Sequence, residues 1–407
     1  MESTHIKEPI WTKSFIATSL NHFIVFLIFY TLLTTLPVYA IEFLHKNEAE
    51  AGLMVTVMLA SAIIFRPFSG KLLEQFGRKR MLIFSVLLFA ATMILYLLFD
   101  QYTSLLVLRF IHGISFAIAT TATGAIAADV IPASRRGEGL GYFAMAMNVA
   151  MVLGPFIGLT LLQYVSFHML FLILGIVGII GICITFLVRV PKVELPPVKE
   201  KFSVHSLFEL KALPIAAVSG LVGFAYSGIV SLISVYSHQL HLEKVSGYFF
   251  IVFAAIMLLT RPITGKMFDL KGPSFVIIPS LILFAISLYM LSITQTGGML
   301  LLAAAVSGLG YGSLLPGFQT MAVDSTDPHR SGHATATFYT LYDTGIALGT
   351  YTLGLVAGGF GFSNVYVFTS GLIIVVLLLY LLVRKNSKKL QVGTKDNTIQ
   401  ETVSTEE

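Results

Sequence analysis

Asp343 stands ten residues into an apolar run, 333–358, of a 407-residue chain. At the helical rise that depth is about 15 Å, close to the middle of a hydrocarbon layer ~30 Å thick. An acid held there changes charge in response to a nearby cation or a bound solute, which is the chemistry of proton exchange. Arg109 lies within another such run, and a guanidinium in mid-membrane costs ~2.5–3.5 kcal/mol on insertion scales, so it needs a wet cavity or a partner. His112, three residues on, shares its helical face, and His22, after Asn21 in the first run, carries a side chain that titrates near neutral pH. Asp343, Arg109, His112 and His22 are therefore proton-coupling candidates. The competing readings are a static polar contact for Asp343, a structural hydrogen-bonding role for Arg109 and satisfied packing for the histidines.

The elements that must hold these groups follow from composition and repetition. With 56% hydrophobic and 12% charged residues, and a mean hydropathy of +0.85, the chain has too little polar surface to fold as one soluble domain. Apolar runs of spanning length occur at 15–41, 51–69, 81–99, 104–128, 139–162, 168–188, 213–236, 247–268, 275–294, 298–322, 333–358 and 364–383, which predicts twelve membrane helices. The second half repeats the first. Gly52, Arg66, Pro67, Gly70, Lys71, Gly113, Asp129, Gly137 and Gly154 recur as Gly247, Arg261, Pro262, Gly265, Lys266, Gly308, Asp324, Gly332 and Gly349, each pair 195 positions apart, as 66 is from 261. Parallel repeats of this size in an apolar chain are the pattern of a transporter.

Lys and Arg fix the orientation. Arg78, Lys79, Arg80, Arg135, Arg136, Arg189, Lys192, Arg330, Arg384 and Lys385 share one face if the helices alternate, whereas the other face receives Lys46 and Lys244. Both termini are therefore expected in the cytoplasm. The divisions are a cytoplasmic N-terminus (1–13), a first six-helix unit (14–189), a cytoplasmic linker (190–212), a second six-helix unit (213–384) and a polar, disordered cytoplasmic tail (385–407). Phe202, Leu207, Phe208 and Leu210 mark a short interfacial helix in the linker. Trp11 reads as an interfacial anchor, and Cys183, the sole cysteine, as a small packing residue that excludes an intramolecular disulfide. The sequence contains no metal-ligand cluster, phosphate loop or nucleophile motif, which argues against an enzyme. The net charge of +5 reflects the basic face and gives no reason to invoke nucleic acid.

The connection Gly70-Lys71-Leu72-Leu73-Glu74-Gln75-Phe76-Gly77-Arg78-Lys79-Arg80 resembles the signature loop of the major facilitator superfamily, with a weaker copy at Gly265-Lys266-Met267-Phe268-Asp269-Leu270-Lys271-Gly272. The resemblance is strongest to its twelve-span drug/proton antiporter branch. It implies an all-α membrane fold of two six-helix bundles about a pseudo-twofold axis along the membrane normal. In the family the loop arginine pairs with an acid at the end of helix four, a place Asp129 occupies here. That makes Gly70, Glu74, Gly77, Arg78, Asp129, Gly265, Asp269 and Asp324 a conformational latch, its carboxylates facing helix N-termini. Glu74 replaces the usual Asp. The resemblance also implies proton coupling for Arg109, whose repeat position holds Ala304. Gly154, Pro155 and Gly158 resemble the antiporter stretch that kinks helix five and packs it against the opposite half, with Ala150 and Leu159 standing where the family has glycine.

The family pathway runs between helices one, four, seven and ten. Phe26, Tyr30, Asn148, Tyr226, Ser227, Ser231, Tyr311, Ser313 and Gln319 are the cavity candidates, Asn148 as the repeat partner of Asp343. Aromatic faces with a few hydroxyls suit a small amphipathic solute, and the scarcity of cations argues against a polyanion. Gly308, Gly310, Gly312, Pro316 and Gly317 make the tenth span bendable. The expected function is export of such a solute across a bacterial cytoplasmic membrane by a monomer, driven by protons and needing no cofactor. A proton symporter for a sugar, organic acid or peptide, and a receptor or scaffold that has lost transport, are the alternatives.

Overall fold

The computed structural model describes residues 9–46, 48–162, 164–190, 207–327 and 330–404. The expectations for residues 1–8, for most of the linker and for the side chains of the 385–407 tail lie outside the described residues. Among those described, every regular element is helical: α1 (Lys13–Glu42), α2 (Glu48–Phe76), α3 (Arg78–Leu95), α4 (Tyr102–Val130), α5 (Arg136–Leu162), α6 (Phe167–Leu187), α7 (Leu213–Gln239), α8 (Glu243–Lys271), α9 (Pro273–Ser292), α10 (Gly297–Tyr311), α11 (Leu314–Asp324), α12 (Ser331–Phe360) and α13 (Phe362–Ser404).

Local chemistry sets the helix ends. Thr12, Ser166 and Thr296 cap α1, α6 and α10 by accepting hydrogen bonds from the N–H groups of Phe15, Met169 and Met299 at 3.1, 3.3 and 3.3 Å. α3 and α9 start after Gly77 and Gly272, which lie 195 positions apart and adopt φ +86° and +85°, a conformation that side chains rarely tolerate. The run read as one tenth span breaks at Gly312-Ser313 into α10 and α11, as its glycines anticipated.

Ten stretches are long and apolar enough to cross a membrane by length and composition; α10 and α11 together make one of them. α3 and α12, read above as the third and eleventh spans, are not among the ten. α3 is 18 residues long and opens on Arg78-Lys79-Arg80, and α12 interleaves His333, Asp343 and a row of threonines with its apolar residues. Large apolar side chains such as Ile176, Phe186, Ile282 and Leu378 remain exposed, the surface a lipid-facing protein needs. Cys183 is also exposed, which corrects its reading as a packing residue. The buried face of α6 is set by Gly175, Gly178, Gly181 and Thr185, and Cys183 turns away from it.

The two largest hydrophobic cores are drawn one from residues between Ala17 and Val190 and the other mainly from Ala212 to Val383, and a smaller cluster joins Ile10, Phe15 and Phe143 to Val323. Matching helices close each core. A Cβ on Gly154 of α5 would meet Tyr30 of α1 at 2.7 Å, and one on Gly349 of α12 would meet Phe224 of α7 at 2.5 Å, so both glycines permit backbone approach. Gly158 similarly abuts Thr31 and Thr35, and Thr31 donates to the Gly154 carbonyl at 3.1 Å. This corrects the expectation for Gly154 and Gly158, which pack α5 against α1 of their own half. The halves touch each other chiefly where α2 meets α12 and α5 meets α8.

Candidate functional site

α2 and α12 bring together the pair at the centre of the site. Arg66 Nη2 lies 2.5 Å from Asp343 Oδ2. Arg66 Nη1 donates to Thr120 Oγ1 of α4 at 3.0 Å, and its guanidinium lies 5.1 Å from the centroid of the Tyr339 ring. The Arg66 side chain is 3% exposed and that of Asp343 29%, so the acid is the more accessible partner. Tyr339 donates in turn to Gln319 Oε1 at 3.3 Å, which ties α11 to the pair.

Arg66 was legible only as half of the repeat pair with Arg261; its position inside an apolar run is the signal that could have singled it out. Arg109 does not reach Asp343. Its Nε donates to the Met54 carbonyl at 2.9 Å and its Nη1 lies 3.4 Å from His112 Nδ1. Both residues are buried among α2, α3 and α4, with the His112 ring 4.3 Å from that of Phe89. The cation that faces Asp343 is thus Arg66. His22 is also packed: its Nδ1 lies 2.8 Å from Thr123 Oγ1, and its ring contacts Phe26 and Phe143 at 4.7 and 4.1 Å. Thr123 already donates to the Ala119 carbonyl at 2.9 Å, so His22 must carry its proton on Nδ1 to complete the network.

Of the cavity candidates, Tyr226 and Tyr311 come together, their rings stacked at 3.8 Å, and the Tyr311 hydroxyl bonds that of Tyr342 beside Asp343. Tyr30 stacks on Phe26 at 6.0 Å. Asn148 donates to Met257 Sδ at 3.4 Å. Ser227 and Ser231 turn their hydroxyls back into α7, onto the carbonyls of Phe224 and Ser227 at 2.7 and 2.5 Å. Ser313 Oγ and Gln319 Nε2 are buried without hydrogen-bond partners.

A second cluster closes the end of the protein that carries the signature loop. Arg78 contacts Asp129, as expected, and its Nη2 donates to Ser331 of α12 at 2.8 Å; Ser331 donates to Asp129 Oδ1 at 3.1 Å. Glu74 Oε2 lies 2.7 Å from His333 Nε2. In the repeat copy Asp269 accepts from the N–H groups of Gly137 and Glu138 at 2.8 and 2.9 Å, a carboxylate on the first turn of α5. Asp324 pairs with Arg136. The cation has changed sides between the copies: Pro273 replaces Arg78, and Arg136 stands where the first copy has Ser331. Gly70 and Gly265 permit these contacts, since a Cβ on either would meet the backbone of His333 at 3.0 Å or Glu138 at 2.8 Å.

Fold and site together define an integral membrane transporter of a small molecule. The chain belongs to the Major Facilitator Superfamily, whose family model matches residues 18–278 and 246–404. It is similar to an uncharacterized MFS-type transporter of Methanocaldococcus jannaschii, 25% identical over 374 residues that cover 86% of this chain and 96% of that protein. It is also similar to the multidrug resistance protein MdtG of Escherichia fergusonii, 25% identical with coverage of 88% and 91%, and of Salmonella arizonae, 26% identical with coverage of 89% and 93%. Among solved structures, that of the human organic anion transporter MFSD10 (TETRAN) superposes with a TM-score of 0.80 at 16% identity, over 91% of this chain and all of that one. The protein is a transporter and not an enzyme.

Proposed function

We propose that the protein is a proton-coupled exporter of small amphipathic organic compounds, built as twelve membrane helices in two six-helix bundles, with both termini in the cytoplasm of a bacterial cell. The observation that carries the reading is the Arg66–Asp343 pair, an intramembrane acid with partial exposure that joins the two halves. The likeness to MdtG, a multidrug resistance protein, supports a drug-like substrate.

In this cycle the loop end, on the cytoplasmic side, is closed by the Arg78–Asp129–Ser331 and Asp269–α5 contacts, and the pathway faces outward. A proton entering from outside neutralises Asp343 and removes its attraction for Arg66, which loosens α2 from α12. The closed end then opens, cytoplasmic substrate enters between Tyr226, Tyr311 and Gln319, and the proton leaves inward. Return with substrate completes exchange by alternating access in a single monomer. The motive force is the proton gradient, with no cofactor.

The test is proton movement in energised inside-out vesicles, followed with a pH dye while lipophilic cations, antibiotics and sugars are added. Wild type should release protons on addition of a substrate, and Asp343→Asn should not. Accumulation of substrate in the direction of proton flow would replace this reading with symport. Full activity in Asp343→Asn, with loss in Arg109→Ala, would return the coupling role to Arg109.

A further inference from the structure

The repeat that pairs Arg66 with Asp343 also places Arg261 on α8 at the join with α5, where the residue equivalent to Asp343 is Asn148. Asn148 spends its amide on Met257, one turn before Arg261. Arg261 is 4% exposed, and its Nε has no hydrogen-bond partner. Among the described residues no carboxylate forms an ion pair with it. Asp269, two turns along α8, is held by the N–H groups of α5, and Glu138 is held by Arg135 at 2.8 Å. A guanidinium buried in a membrane protein without a counter-charge is costly.

A small cavity opens on Arg261, walled by Gly137, Gly141, Phe268, Ser313 and Gly317. Ser313 brings the second unpartnered buried group, its hydroxyl, to the same space, at the break between α10 and α11. One fixed cation and one free hydroxyl, with glycines that keep the wall low, match a single oxyanion. The stacked Tyr226–Tyr311 rings, two residues from Ser313, offer an apolar face for a body attached to it. We propose that Arg261 and Ser313 bind the carboxylate of the transported compound, so that the substrate class is the amphipathic monocarboxylate, as a free acid or a zwitterion. The inference rests on the transport reading for its biological meaning, but the site itself is tested by binding alone.

The experiment is calorimetric titration of the purified full chain in detergent with naphthaleneacetate and with its neutral amide, naphthaleneacetamide. Wild type should bind the acid at least about tenfold more tightly than the amide, the size of one charge-assisted hydrogen bond. Asn148→Asp supplies the missing acid from within, so it should raise the melting temperature and weaken acid binding by roughly tenfold or more while leaving the amide unchanged. Ser313→Ala, which removes one hydroxyl from a glycine-walled cavity, should weaken the acid selectively. Equal affinity for acid and amide in wild type, no binding of the acid, or an acid affinity unaltered by Asn148→Asp would overturn the proposal. Failure of proton release in vesicles with this binding pattern intact would count against proton-coupled export and leave the carboxylate site standing.

Discussion

Arg66 and Asp343 meet at 2.5 Å across the join between the halves, and the positions 195 residues away from each hold Arg261 and Asn148, a cation without its acid. One join is thus held by a titratable ion pair. The other has a cation and a neutral amide. In the proposed cycle, this asymmetry lets a proton act on one join and not on the other.

The coupling between the pair is measurable. A double-mutant cycle with Arg66→Gln and Asp343→Asn should give an interaction energy of about 1 kcal/mol or more in thermal or denaturant unfolding, since removing either partner strands the other in a poorly solvated place. Additive effects of the two substitutions would mean that the pair contributes nothing to joining the halves.

Arg109 is predicted to act on stability. Arg109→Gln strips the Met54 carbonyl and His112 of their buried partner. The expected loss is about 1–3 kcal/mol, the range for a buried group left unsatisfied. The variant that remains folded should keep its substrate-triggered proton release, and a selective loss of that signal at unchanged melting temperature would contradict the assignment.

Close approach of α1 and α5 depends on Gly154. Gly154→Val should lower stability by about 1–3 kcal/mol through overpacking against Tyr30 and Thr31. Gly354→Ala, where nothing lies within 4 Å of the new Cβ, should be neutral or slightly stabilising. Similar melting temperatures for the two variants would show that α1 and α5 are less tightly apposed than described.

The closed loop end can be trapped. An ideal Cβ on Gly332 lies 3.6 Å from that of Leu73, within disulfide range. In a Cys183→Ser background, which removes the exposed native thiol, Leu73→Cys with Gly332→Cys should form a disulfide under mild oxidation. Transport should stop on oxidation and resume on reduction. A fully oxidised protein that still transports would show that this end need not open.

Much of this was readable in the chain because repetition and burial leave marks in sequence. Asp343 announced itself as an acid in an apolar run, Arg78 and Asp129 as a motif pair, and Gly308, Gly310, Gly312, Pro316 and Gly317 as a bendable tenth span. The partner of Asp343 was not readable, since Arg66 lies 277 positions before it and only the docking of two halves selects it over Arg109. The same holds for Gly154 and Gly158: small residues declare that some helix approaches closely, but not which one. Ser227 and Ser231 looked like cavity hydroxyls, yet a serine in a helix can satisfy itself on the preceding turn, and sequence does not reveal that choice.

The crossed placement of Arg78 and Arg136 makes the two halves a mated plug and socket. Two copies of the first half set face to face would bring Arg78 and a foreign Arg136 onto each Asp129, and two copies of the second would bring Ser331 to each Asp324 with Pro273 in place of any cation. Only the unlike combination gives each acid one positive neighbour. Charge at this end therefore favours the unlike pairing of the two halves, as it does between the parts of a heterodimer.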